Sequence, residues 1–392
     1  MRCDFVAEKI KGLPFSGIRK FFNIASELQD VISLGVGEPD FDTPWNIRDE
    51  AIYRLEVGST VYTSNAGMPE LLHEISRYMR SRFELDYDPA NQIICTVGAS
   101  EGIDAALRAI INPGDEVLIA EPCFVSYYPC VIMAGGVPVT ITTRREDEFR
   151  LTPQAVEEKI TPRTKALIMC YPNNPTGAVM NSDDLLRLAN CLRDRDIVVL
   201  SDEIYAELTY DGESPARHTS IASFPHMKEK TIVLNGFSKT FAMTGWRLGF
   251  ACGPCDIINA ILKIHQYALM CAPTISQYAG IEALKSGAGS VLHMRNEYDE
   301  RRRVMVKELN GMGLDCFEPR GAFYVFPSIQ STGMTSEEFC TQLLYSQKVA
   351  VVPGDAFGES GNGFVRISYA TGMDDLQEAL RRIKVFLDLK GL

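Results

Sequence analysis

Thr231-Ile232-Val233-Leu234, then Gly236-Phe237-Ser238-Lys239-Thr240-Phe241-Ala242-Met243-Thr244-Gly245-Trp246-Arg247-Leu248-Gly249, puts a buried strand and a candidate reactive group in one stretch. The first four residues have no polar break, as in a strand covered on both faces. Gly236 then breaks the strand, and a lysine follows among small side chains. Similar apolar runs lie upstream, at Gln92-Ile93-Ile94-Cys95-Thr96-Val97, Val117-Leu118-Ile119-Ala120, Ala166-Leu167-Ile168-Met169-Cys170 and Ile197-Val198-Val199-Leu200. Helical spacing separates them: Ile103, Ala106, Leu107 and Ile110 share one face, and Leu185, Leu186, Ala189 and Leu192 another, with Ser182 as a candidate cap. Strands alternating with helices predict an α/β fold whose large domain holds a mostly parallel sheet flanked by helices.

Toward the carboxyl end the pattern changes. A charged helical stretch at 295–309 precedes two candidate strands, 322–326 and 364–368, and a last amphipathic helix uses Leu376, Leu380, Ile383 and Phe386. This reads as a smaller α+β domain. The first forty-odd residues show no strand pattern and are expected to pack with it. The expected division is 46–287 for the large domain, with 1–45 and 288–392 forming the small one.

The 39 basic and 51 acidic side chains leave a net charge of −12, which opposes binding to a phosphate backbone, so no nucleic-acid partner is expected. A small anionic ligand would need a local cationic pocket against that field. No apolar run is long enough to cross a bilayer, and the first residues lack the apolar centre of a secretion signal. The eleven cysteines are too scattered for a disulfide framework, so a cytoplasmic enzyme with no membrane partner is the expectation. The five histidines show no metal-ligand spacing. Cys252-Gly253-Pro254-Cys255 spells a redox motif, but it follows the strand Leu248-Gly249-Phe250-Ala251 outside a small redox fold, which makes a reduced structural pair the better reading. Arg301-Arg302-Arg303 reads as a solvated helix face.

In open parallel sheets ligands gather at the carboxyl ends of the strands, and polar groups recur there. Gly98-Ala99-Ser100-Glu101 turns a strand into a helix, where free N–H groups and a hydroxyl suit a phosphate. Tyr171-Pro172-Asn173-Asn174-Pro175-Thr176-Gly177 holds amides rigidly at another strand end. Asp202 follows a buried strand, where a carboxylate needs a cation, a protonated heteroaromatic nitrogen or a helix N-terminus as partner. Lys239 is a candidate Schiff-base amine if burial lowers its pKa, and Ser238 and Arg247 can clamp a dianion. Each feature also has a purely structural reading, as a chain turn, a rigid proline loop, a capping acid or a solvated lysine.

Taken in order, these segments resemble the class I/II pyridoxal-phosphate-dependent aminotransferases, which have the aspartate aminotransferase fold. Leu34-Gly35-Val36-Gly37-Glu38-Pro39-Asp40-Phe41 is similar to the family's N-terminal motif, and Val61-Tyr62-Thr63 through Gly67 to its subunit-crossing tyrosine motif. Asn173-Asn174-Pro175-Thr176-Gly177, Asp202 to Tyr205, the Lys239 segment and Arg366-Ile367-Ser368-Tyr369 complete the series. The resemblance implies that Lys239 carries pyridoxal 5'-phosphate and moves the proton, with Asp202 beside the ring nitrogen. Tyr205 and Asn174 would meet the phenolic oxygen, and Phe124 would stack on the ring. Ala99, Ser100, Glu101, Ser238 and Arg247 would bind at the phosphate end. Tyr62 would reach across from a neighbouring subunit, implying a homodimer with shared active sites. Arg366, with Gly37 and Asn174, would hold the substrate α-carboxylate.

The implied reaction is ping-pong transfer between an L-amino acid and a 2-oxo acid, 2-oxoglutarate by family habit. Two departures stand out: Gly236 replaces a frequent serine, and Phe124 a larger stacking ring. The stretch Pro14-Phe15-Ser16-Gly17-Ile18-Arg19-Lys20-Phe21-Phe22 is similar to enzymes acting on N-acetyl-LL-diaminopimelate or aromatic amino acids. Arg19 is thus a candidate for a distal carboxylate, although a surface role suits it better, and Phe357 a candidate pocket wall. Two other readings are a C–S β-lyase, which usually lacks the Thr-Gly-Trp-Arg seen here, and a non-catalytic cofactor-binding regulator, which the acidic charge opposes.

Overall fold

The computed structural model of the chain describes residues 5–15, 17, 28–210 and 217–391. Arg19 lies outside the described residues. The strands in chain order are β1 Ile32–Ser33, β2 Ile93–Thr96, β3 Glu116–Glu121, β4 Val137–Thr142, β5 Thr164–Cys170, β6 Val198–Asp202, β7 Thr231–Gly236, β8 Gly249–Cys252, β9 Tyr324–Val325, β10 Val349–Ala350, β11 Val352–Pro353 and β12 Val365–Ser368.

Seven of them form one sheet in the order β2-β8-β7-β6-β5-β3-β4. The pairs β3–β4, β3–β5, β5–β6 and β6–β7 are parallel, while β8 runs against both neighbours. Because β8 is antiparallel to β2 and to β7, those two point the same way as the rest. The carboxyl ends of β2, β3, β5, β6 and β7 therefore share one edge, which also receives the start of β8 at Gly249, opposite Thr96 and Gly236. Strands β2, β3 and β7 are buried throughout, as apolar runs covered on both faces should be. Truncating Leu234 or Ile232 to Ala would remove about 2–5 kcal/mol each.

The smaller sheets are β11-β12-β9, antiparallel, and β1-β10, parallel. Strand β1 corrects the expectation of no strand in the first forty residues. Two residues pairing with a distant partner leave no periodic signature. The run 322–326 narrows to a two-residue strand, and the charged stretch extends to a helix over Ala288–Gly311. Asn181, not Ser182, caps the helix Ser182–Leu192, its side chain accepting from the Asp184 N–H at 2.8 Å.

Arg301-Arg302-Arg303 is not a solvated face. Residues on a helix advance by about 100°, so three in a row fan over more than half the circumference. Arg302 is 0% exposed, donating to Asp299, Glu318 and the Pro319 carbonyl, and Arg301 pairs with Asp40. Only Arg303 is well exposed. Cys252 ends β8 and Cys255 opens the next helix, both as free thiols, the first buried and the second exposed. Among the described residues no helix is long and apolar enough to cross a membrane.

Candidate active site

Where the strand ends converge there is a cavity of about 470 Å³. Lys239 reaches it from a four-residue helix, Phe237–Thr240, that starts where β7 stops. Its amine donates to the Gly37 carbonyl and lies 5.9 Å from the centre of the Tyr205 ring. Burial pushes the ammonium down to about 8 from its ordinary 10.5; nearby Glu38 opposes the shift, while Arg366 and Arg247 add to it. Roughly one amine in ten is then neutral at pH 7, far more than for a free lysine.

Asp202 is the last residue of β6 and is buried. Burial raises its carboxyl to about 6, although hydrogen bonds from the Tyr127 phenol at 2.7 Å and the Ile204 N–H at 3.2 Å work the other way. The Tyr205 and Tyr324 hydroxyls are hydrogen-bonded at 2.9 Å, and burial holds Tyr205 well above the usual phenol range. Phe124 lines the same cavity.

At one end of the cavity Ala99 and Ser100 open the helix Gly98–Ile110, whose first N–H groups have no intrahelical acceptor. Gly98 has φ +73, and a Cβ there would sit 2.6 Å from Arg247 Nη2, so glycine is required for Arg247 to approach the helix start. Ser238 lines the cavity beside them. Arg366, 3% exposed, also lines the cavity and donates to Asn174 Oδ1 at 2.9 Å and to the Gly35 carbonyl. Its Nε is buried with no partner, and its guanidinium lies 4.5 Å from the Tyr324 ring and 4.7 Å from the Phe357 ring. Among the described residues neither Arg247 nor Arg366 forms an ion pair with a carboxylate.

Gly37, Ala99, Ser100, Phe124, Asn174, Asp202, Tyr205, Ser238, Lys239, Arg247 and Arg366 thus line one cavity. Glu101 and Tyr62 do not. The Glu101 carboxylate accepts from the Val97 N–H and meets His265 Nδ1 at 2.6 Å, which braces the turn from behind. Tyr62 is 79% exposed and does not line its own chain's cavity. Phe357 is buried against Arg366 and does not line the cavity, so the pocket-wall expectation is corrected. Tyr127 and Tyr324 were missed. Tyr127 lies a turn beyond β3 and Tyr324 on a two-residue strand, and only folding brings either to the site.

A phosphorylated aldehyde with a basic ring nitrogen fits this arrangement. Arg247 and the helix start suit the phosphate, Asp202 the nitrogen, and the partly neutral Lys239 the aldehyde, while Arg366 with its orphaned Nε is left over for a second anion.

The chain belongs to the family "aminotransferase class I and II", whose model matches residues 29–383, and is a pyridoxal-phosphate-dependent transaminase. It is 53% identical to the putative aminotransferase YugH of Bacillus subtilis, over 98% of each chain. It is 48% identical to an aspartate aminotransferase of Pyrococcus abyssi, over 96% of this chain and 97% of that one. Among solved structures, the aromatic aminotransferase of Pyrococcus horikoshii superposes with a TM-score of 0.90 at 46% identity, covering 95% of this chain and 99% of that one.

Proposed function

We propose that this enzyme moves an amino group from an aromatic L-amino acid to 2-oxoglutarate in two half-reactions at the Lys239 cavity. The observation that carries the reading is a buried lysine sharing one cavity with two arginines that lack carboxylate partners. When bound, pyridoxal phosphate supplies a carbonyl carbon for the donor's amine and a cationic ring that draws electron density from its Cα. Arg247, Ser238 and the N–H groups of Ala99 and Ser100 hold the phosphate, and Phe124 packs on the ring. Asp202, fixed by Tyr127, keeps the ring nitrogen protonated. Tyr205 and Asn174 donate to the phenolic oxygen. Arg366 grips the α-carboxylate with its remaining donors, helped by the Gly37 backbone. That leaves Lys239 Nζ to take the proton from the donor's Cα.

An aromatic donor is supported by relatives named for it, the aromatic aminotransferase of Pyrococcus horikoshii among them. N-acetyl-LL-diaminopimelate, like the proposed acceptor 2-oxoglutarate, carries a distal carboxylate, for which Arg19 is the candidate partner. Relatives named for aspartate and for aromatic amino acids make both donors necessary in any assay.

The working unit in this reading is a cytoplasmic homodimer, divided at residues 46–287 against 1–45 and 288–392. Exposed Val61, Tyr62, Leu269 and Met270 support an apolar contact, and Asn65 ties their two segments by donating to the Met270 carbonyl at 2.7 Å. Tyr62 then completes the neighbour's cavity.

The test is single-turnover absorbance of holoenzyme mixed with L-phenylalanine, L-tyrosine, L-aspartate, L-glutamate or N-acetyl-LL-diaminopimelate, without an acceptor. Conversion of the cofactor's visible band to a stable near-ultraviolet band, fastest with an aromatic donor, is expected. Fastest conversion with a non-aromatic donor, or no conversion with any donor, would contradict it. Capture of cofactor by the apoprotein should also speed up as pH rises through about 8, because only the neutral Lys239 amine reacts.

A further inference from the structure

Glu121 ends β3 and is buried, yet it lines no part of the cavity. Its carboxyl group accepts from the Ser360 N–H at 2.9 Å and from the Tyr128 phenol, which also meets Thr140 Oγ1 at 2.7 Å. Among the described residues it forms no ion pair. A buried carboxyl group that serves a backbone N–H from a segment 239 residues away is costly to keep, so its placement needs a reason.

The turn 354–361 wraps around this side chain. Gly358 has φ +120, and a Cβ there would lie 2.0 Å from Glu121 Cδ, so both backbone and space demand glycine. Two residues past Glu121, the Cys123 N–H donates to the Phe357 carbonyl at 3.0 Å. The end of β3 thus anchors the turn at the Phe357 carbonyl and again at Ser360. That ring is buried and lies 4.7 Å from the Arg366 guanidinium carbon.

We propose that Glu121 is a positioning residue for the transamination: it clamps the turn 354–361 so that Phe357 keeps Arg366 aimed at the substrate α-carboxylate. The proposal rests on the reading of Arg366 given above. A planar guanidinium recognises a carboxylate as a fork, and its orientation therefore decides whether two bonds form or one. Without the clamp Phe357 drifts and Arg366 swings, while Lys239, Asp202 and the phosphate end stay as they were. The loss should thus appear in substrate binding, before the chemical step.

The experiment uses holoenzyme and the fastest donor from the absorbance panel. Glu121→Ala should raise the donor's KM by about tenfold with kcat within about threefold of wild type, and the cofactor's dissociation constant should not move. Glu121→Gln, which still accepts from Ser360, should restore KM to within about threefold. Phe357→Leu should raise KM like Glu121→Ala, and combining the two should add nothing further, since one acts through the other. Equal losses in kcat and cofactor affinity, additive effects in the double variant, or an unchanged KM in Glu121→Ala and Phe357→Leu while Arg366→Lys raises it, would each overturn the clamp. If Arg366→Lys also leaves KM unchanged, the carboxylate reading of Arg366 fails and the clamp fails with it. Should Glu121→Ala not fold, Phe357→Leu with and without Glu121→Gln carries the test.

Discussion

Arg302 and Arg366 are both buried arginines, and they are kept in opposite ways. Arg302 is saturated: Asp299, Glu318 and the Pro319 carbonyl take its donors, and the Tyr210 ring lies 5.5 Å away. Arg366 meets only neutral groups, Asn174 and the Gly35 carbonyl, and its Nε is left without a partner. Burial lowers the pKa of the Arg366 guanidinium, with Tyr324 and Tyr205 opposing. A fold that can neutralise a buried arginine with two carboxylates but leaves another without one holds the second in reserve. The difference separates an arginine that builds the structure from one that waits for a ligand.

The sharpest way to break the contrast is to replace each with methionine. Arg366→Met should lower kcat/KM by about a thousandfold, roughly 4 kcal/mol, through the lost carboxylate grip, with thermal stability of the apoprotein unchanged or improved. Arg302→Met should instead cost about 1 kcal/mol of stability, read by denaturant unfolding, because the Pro319 carbonyl loses its donor and Asp299 keeps only the exposed Arg303. Equal stability losses in both would erase the distinction.

Asp202 extends the comparison to an acid. Its folded value of about 6 lies above the ordinary carboxylate value near 4, so the folded state holds the proton more tightly. Stability therefore falls as pH rises from about 4 to about 6, and the whole penalty is present at pH 7. Cofactor-free Asp202→Asn should be more stable than wild type by ~2 kcal/mol at pH 7, the gap closing below pH ~4, while its half-reaction slows. Melting curves at the two pH values check the sign. The smallest effect belongs to Arg303, the exposed neighbour of Arg302: Arg303→Ala should stay within about 0.5 kcal/mol.

What the sequence made legible was local. Strand β7, the break at Gly236 and the spacing from Lys239 to Arg247 are written in consecutive residues, and so is the glycine-led turn at Gly98. The direction of β8 was not, since four apolar residues read the same both ways. Tyr127, Tyr324 and the Glu121–Ser360 contact depend on segments far apart in the chain, and no periodicity marks them. The arginine triplet misled because three consecutive charges suggest solvent, whereas helical geometry sends two of them inward to Asp40, Asp299 and Glu318.

The most direct measurement is to treat holoenzyme with borohydride, which fixes an amine–aldehyde linkage, and to map the modified peptide by mass spectrometry. Cofactor attached at Lys239, with no attachment in Lys239→Ala and no donor conversion by that variant, is the expected result. Attachment at another lysine, or a Lys239→Ala protein that converts the donor at near wild-type rate, would contradict the assignment on which the rest of the site depends.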